Sequence, residues 1–375
     1  MVKILIQCTK KLLDQLQVEP EKGEKEKPLF SWHANLKRIN HRKTVILVND
    51  YNRYIIVLYG LKADNFKQMG KHIIKAIERT FEKECIKKEL IDDFINSSPN
   101  VIYTKTKNRS KVAMMNEGCK NAAYFTEKII EDSIYQPILS KYISRRLVGD
   151  GQGDYMRPNE EMYKDIKELT GQSSIFGCIA IKIKVTLNLK DHNIWRRLVV
   201  PVNFTFKQLH EIMQAAFGWK DYHLHEFYIF KDKEIKHDPV DLFNRGGIKP
   251  VINLVGNKED LNYPGDVPMK LEKGIKISEY IPASMIYNYD YGDYWQHSIK
   301  VEEIIDNYNK NFPVCLEGNG KTPPEDVGGE GGFERFLEII NNEDHPEYQR
   351  MINWGESQGY SEFDIDEINR NLKTL

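Results

Sequence analysis

Three short strings concentrate the residues able to do chemistry. In GWKDYHLHEF, His223 and His225 stand two apart, so on a strand both imidazoles project from one face. In YDYGDYWQHSIKVE, Asp293, His297 and Glu302 add carboxylate and imidazole groups. A sheet pairing these strings would bring His223, His225, His297 and Glu302 together. That is a ligand set for zinc, manganese or iron, and it implies a divalent metal as cofactor. The same residues also fit plain packing, as half-buried imidazoles hydrogen-bonded beside tryptophans. The third string is PVCLEGNGKTPPEDVGGEGGFERF. Here Pro323 and Pro324 stiffen the chain, and Glu325 and Asp326 present adjacent carboxylates ahead of a glycine-rich helix start. The loop is acidic and lacks the lysine and hydroxyl of a P-loop, which argues against a nucleotide site. Its carboxylates can orient a basic partner or complement the dipole of the following helix.

Other catalytic patterns are missing. There is no GxSxG and no HExxH string, and nothing in the spacing calls for a Cys315 and His297 thiol–imidazole pair. The five cysteines are scattered without a CxxC pair. This argues against a disulfide framework or a cysteine zinc site and predicts reduced thiols in a cytoplasmic protein. In the first half, Lys105, Lys107, Arg109 and Lys111 recur at every second residue. If extended, they project four charges from one face, a ribbon able to follow a nucleic-acid backbone. An edge strand guards itself with the same pattern. Lys37, Arg38, His41, Arg42 and Lys43 form a second basic cluster. By contrast, residues 317–347 hold nine acids against Lys321 and Arg335. The totals, 54 basic against 55 acidic side chains, therefore conceal a local asymmetry. They exclude only a uniformly basic coat or an acidic tail.

The elements that must position these groups follow from patterning. The chain has 375 residues, enough for two domains. No run approaches ~18 apolar residues and no signal-peptide core is seen, so no membrane partner is expected. Residues 179–189 (IAIKIKVTLNL) alternate cleanly and predict a strand. Residues 205–218 predict an amphipathic helix, capped by Thr205 and ended by Gly218. Residues 225–230 and 233–237 read as a hairpin over KDK, and 285–291 with 295–302 as a strand pair around YGD. In the first half, short strands at 2–6, 29–36, 44–48, 54–59 and 101–104 mix with helical stretches at 10–17, 66–97 and 111–147. Strict βαβ alternation is absent. The fold class is therefore α+β, two domains, each a mixed or antiparallel sheet packed with helices. The expected domains are 1–148 and 175–375, joined over 149–174 by a linker and short helix that opens with GDGQGDYMRPN. Four of the five tryptophans and seven of the ten histidines fall in the second half.

The strings IWRRLVVPVNFTFKQLHEIMQAAFGWKDYHLHEF, YNYDYGDYWQHSIKVE and PVCLEGNGKTPPEDVGG, in that order, resemble the plasmid pRiA4b ORF-3-like family, also called insertion-element passenger-like. The resemblance covers roughly residues 175–355. Family members often carry a cysteine where Thr322 stands, so a two-cysteine site with Cys315 is not available here. Residues 1–125 (CTKKLL, SWHANL, VILVND, TKTKNRSKVAMMNE) are similar to a small uncharacterised domain family. The resemblance implies an α+β fold and an association with mobile elements, with no established catalytic activity. The binding face expected for the second domain is Trp195, Arg196, Trp219, His223, His225, Asp293, Trp295, His297, Glu325 and Asp326. Two functions follow as alternatives. One is a binding protein for nucleic acid or a protein partner. The other is a metal-assisted hydrolase using the His/Asp/Glu set.

Overall fold

The computed structural model describes residues 3–375 except 23–24, 98–99, 151–152, 231–242, 244–246 and 264. The chain divides into two compact units, Met1–Gly177 and Cys178–Leu375.

The first unit is built on a five-stranded sheet. Its strands are β1 (Ile4–Cys8), β2 (Ser31–Ile39), β3 (Arg42–Asn49), β4 (Ile55–Leu58) and β5 (Val101–Lys105), in the order β4-β3-β2-β1-β5. β1 runs parallel to β2 and β5, while β2, β3 and β4 are antiparallel. Every residue of β1 is buried, as expected for a parallel strand covered on both faces. One face packs on α1 (Lys10–Leu16), α2 (Ala63–Lys67), α3 (Met69–Lys83) and α4 (Lys88–Ser97). The other packs on α5 (Arg109–Tyr124) and α6 (Pro137–Ser144). Gly118 lets α5 approach β3 closely, because a Cβ there would lie 2.8 Å from Val48 Cγ2.

One expectation for this half is corrected. Lys105 ends β5, whereas Arg109 and Lys111 sit in the first turn of α5. The Asn108 side chain caps that helix by accepting from the Ser110 and Lys111 amides. A helix turns ~100° per residue, so the one-faced stripe of Lys105, Lys107, Arg109 and Lys111 does not form. Lys111 instead reaches Glu26 at 2.9 Å and lies over the Tyr51 ring. The stretch 149–174, expected to be a linker and short helix, holds a short strand pair and one helix. β6 (Val148–Gly149) pairs with β7 (Tyr155–Met156), and α7 (Pro158–Thr170) sends Met162 and Ile166 into the first core.

The second unit is an eight-stranded sheet with helices. Its strands are β8 (Cys178–Leu189), β9 (His192–Pro201), β10 (His225–Phe230), β11 (Ile252–Val255), β12 (Met269–Leu271), β13 (Ser284–Tyr289), β14 (Trp295–Tyr308) and β15 (Val314–Asn319). The order is β12-β11-β10-β13-β14-β8-β9-β15, antiparallel except for β11 with β12. The alternation in β8 works as its pattern predicts: Ile181, Ile183, Val185 and Leu187 enter the core. α8 (Phe206–Phe217) packs on that face, with Thr205 in a capping box and Gly218 at φ +76 closing it. α9 (Gly329–Ile340), α10 (Tyr348–Ser357) and α11 (Ile365–Leu372) complete the helical side through Phe333, Phe336, Ile368 and Leu372. β10 pairs with β13 and β11. The expected second hairpin strand, 233–237, lies outside the described residues.

Candidate metal centre

Strand β10 begins at His225, and the four residues before it are turning. Asp221 is left-handed at φ +58. Consequently His223 is not on a strand rung with His225, and the two imidazoles part. The β13–β14 connection carries Asp290 and Tyr294, also left-handed, and Asp326 in the third string is a fourth such residue. L residues adopt this region at a cost of about 1–2 kcal/mol each, less for Asp, whose short side chain bonds locally. Asp290 shows the local bond: its Oδ1 accepts the Gly292 amide at 2.8 Å.

The three strings then meet. The Trp219 indole N–H donates to the Pro323 carbonyl at 3.1 Å. Buried Glu325 accepts from the Tyr289 hydroxyl at 2.5 Å and from the Lys220 amide at 3.4 Å. Burial pushes the Glu325 carboxyl above its usual range. Asp293 Oδ2 accepts the Gly328 amide at 3.0 Å. Gly329 lies so close that a Cβ would stand 3.0 Å from the Asp293 carbonyl. Arg196, buried on β9, fastens the same loop. Its guanidinium donates to the carbonyls of Trp195, Ala216, Asn319 and Gly320 and to the Thr322 hydroxyl.

This docking brings one atom each from His223, Asp290 and Asp326 within 4.8 Å of one another. His223 Nε2 lies 2.9 Å from Asp326 Oδ1 and 3.6 Å from Asp290 Oδ2. Neither approach is aligned as a hydrogen bond, although the nitrogen is shielded from solvent. One imidazole and two carboxylates on three segments can serve manganese, iron or zinc. With Asp326 more than half exposed, the trio is open to solvent on one side.

The metal set expected from spacing is corrected. His225 turns into the core, where it stacks on His210 at 3.5 Å and faces Glu272 at 3.1 Å. His210 in turn contacts the Tyr287 hydroxyl and Asp221, both at 2.7 Å. Burial lowers the His210 pKa, and the bond to His210 lowers that of Asp221. His297 is fully buried against Phe217 and Trp219. Glu302 binds Arg197 at 2.7 Å midway along β14, where a register shift follows Val301. Among the described residues, only His223 of the four is in the trio. Sequence reasoning passed over Asp290 because Asp-Tyr-Gly reads as turn chemistry. The two roles coexist, one oxygen serving each.

The expected binding face is also redistributed. Trp219 and Trp295 are buried core residues. Trp195 is the neighbour of Arg196 on β9, so it projects from the opposite face, where Lys184 and Arg197 lie over its ring. Burial pushes the Cys315 thiol up to about 11, against a nucleophilic role.

Residues 179–372, more than half of the chain, match the family model for plasmid pRiA4b ORF-3-like protein. The chain belongs to that family. Residues 5–161 match a domain of unknown function, DUF6933. A curated relative, Uncharacterized protein y4hQ of Sinorhizobium fredii (strain NBRC 101917 / NGR234), is 31% identical over 186 residues, 48% of this chain and 82% of its own. A solved structure, the protein of unknown function MM3350 from Methanosarcina mazei Go1, is 30% identical. It covers 50% of this chain and 97% of its own, with a TM-score of 0.40. All of the trio lies within the part matched to the pRiA4b ORF-3-like family. No helix among the described residues is long and apolar enough to cross a membrane.

Proposed function

We propose that this pRiA4b ORF-3-like unit is a divalent-cation-binding module, with His223, Asp290 and Asp326 as its protein ligands. The observation that carries this reading is the convergence of three separated strings on one point. The Asx turn at Asp290 and the Glu325 anchor beside Asp326 fix two of the ligand segments in advance. Manganese titration of metal-stripped protein, followed by electron paramagnetic resonance, is the test. One ion per chain is expected, with Asp290→Asn and His223→Gln each weakening affinity at least about tenfold. Wild-type affinity in both variants would sink the reading. Metal-assisted hydrolysis would use the same ion, because three protein ligands leave coordination positions for water.

A second reading concerns the first unit, where an open cleft of about 700 Å³ is lined by Lys10, Lys11, Lys37, Arg38 and Lys43, with Asp14 the one acid among the described lining residues. It supports a polyanionic partner, nucleic acid in the first instance, at a place other than the 105–111 stretch. Lys37→Glu together with Arg38→Glu is expected to weaken single-stranded DNA or RNA binding by about tenfold or more at low salt. The slope of log affinity on log salt should fall by about 1–2. Binding that ignores both salt and the substitutions would exclude this surface. An association with mobile elements has only the family's plasmid-derived name in its favour.

A further inference from the structure

The sheet face turned away from the helices holds a pocket. Along β10, side chains alternate: His225 and Phe227 enter the helical core, while Glu226 and Tyr228 face the other way. Register places Asn288 of β13 opposite Glu226, and Asn253 of β11 opposite Tyr228. After the strand ends, Tyr291 and Tyr294 close over the same side. The result is a pocket of about 490 Å³, within the range of small-ligand sites.

Its chemistry is one-sided. Three carboxylates line it, Glu226, Asp260 and Asp266, with four tyrosines, and no lysine or arginine among the described lining residues. Glu226 is held in place rather than neutralised. Asn253 Nδ2 donates to its Oε2 at 2.7 Å and Asn288 Nδ2 to its Oε1 at 2.9 Å. Neither asparagine carries charge, so neither acts as a counter-ion to it. Asn253, 3% exposed, still has its Oδ1 buried without a hydrogen-bond partner, and it lines the pocket. Burial raises the pKa of Tyr228, and the Glu226 charge raises it further, so this phenol stays neutral, as a donor or as a ring face.

We propose that this pocket binds an organic ammonium cation, seated against the tyrosine rings with Glu226 as its counter-charge. Ring quadrupoles attract a cation whose charge is spread over methyl or methylene groups, and a fixed carboxylate adds the ionic part. A bare metal ion would leave the aromatic lining unused. The same chemistry is offered by a free quaternary amine and by a methylated lysine side chain of a protein.

Calorimetric titration of the full chain with choline, with its neutral isostere 3,3-dimethyl-1-butanol, and with a trimethyllysine peptide is the test. Choline should bind at least tenfold more tightly than the alcohol, and Glu226→Gln should remove that preference. Tyr294→Leu and Tyr263→Leu, at exposed positions, should each weaken choline at least threefold with the melting temperature unchanged. They carry the test if the Glu226 variant does not fold. A peptide tenfold tighter than choline assigns the site to a protein side chain, and equal or weaker peptide binding assigns it to a free amine. Equal affinity for choline and the alcohol, or no binding of either cation, overturns the proposal. None of these outcomes depends on the metal trio, which lies outside this pocket's lining.

Discussion

Arg196→Ala is expected to lower the unfolding free energy of the second unit by about 3–5 kcal/mol, read from urea unfolding followed by tryptophan fluorescence. The signal reports that unit well, since Trp219 and Trp295 are buried in its core. Arg196 is 3% exposed and gives its donors to four carbonyls and one hydroxyl. Burial lowers its pKa to about 10, which still leaves it charged at neutral pH. Truncation strands those acceptors in a low-dielectric interior and removes the guanidinium packed over Phe217 and Phe363. Lysine cannot reproduce a planar five-donor fork, so Arg196→Lys should fold but recover only part of the loss. That variant separates anchoring from mere packing. The loop after Asn319 leads to Asp326, so manganese affinity should fall in Arg196→Lys although no ligand has changed. A loss below about 1 kcal/mol for Arg196→Ala, with undiminished manganese binding, would refute the anchoring role.

Arg196 shows what a single sequence reveals and what it hides. Its place next to Trp195 in the sequence suggests one shared binding face. A strand's period of two puts neighbours on opposite faces, so one is core and loop anchor while the other lies with Lys184 and Arg197. Local patterning was otherwise a good guide. The alternation in β8, the capping box of α8 and its Gly218 stop are short-range consequences of side-chain type. The two-unit α+β architecture followed from them.

The candidate site was legible as three strings and illegible as a geometry. His223 and His225 share a face only if both are on the strand, and the left-handed Asp221 delays the strand to His225. Lys105 to Lys111 form a stripe only if extended, and Asn108 starts a helix instead. In both cases one local turn or cap reset the phase of a correct pattern. Glu302 was lost for a different reason. Its partner Arg197 lies 105 residues away on another strand, and such pairing is fixed by sheet register, which spacing does not encode.

His297 predicts the acid behaviour of the second unit. Its Nδ1 lies 3.2 Å from the Tyr287 and Trp295 carbonyls and so carries the ring's proton, while Nε2 is buried without a partner. Burial pushes its pKa down to about 3, against about 6.5 for histidine in the unfolded chain. Between those values the unfolded state binds a proton that the native state refuses. Stability therefore rises with pH across the window, is fully present above about 6.5, and is lost on acidification at about 1.4 kcal/mol per pH unit. By pH 4.5 the loss from this group is about 2.7 kcal/mol, and His210, also lowered by burial, adds in the same direction. Glu325 opposes both, because a raised carboxyl pKa favours the native state in acid. His297→Gln isolates the imidazole, since its amide can still donate to the carbonyls but does not titrate. At pH 7.5 the variant should be less stable by about 1–2 kcal/mol for imperfect packing. At pH 4.5 the order should close or reverse. Urea unfolding of both proteins from pH 8 to 4.5 decides the matter, and parallel curves would show that the buried ring is not the group that acid attacks.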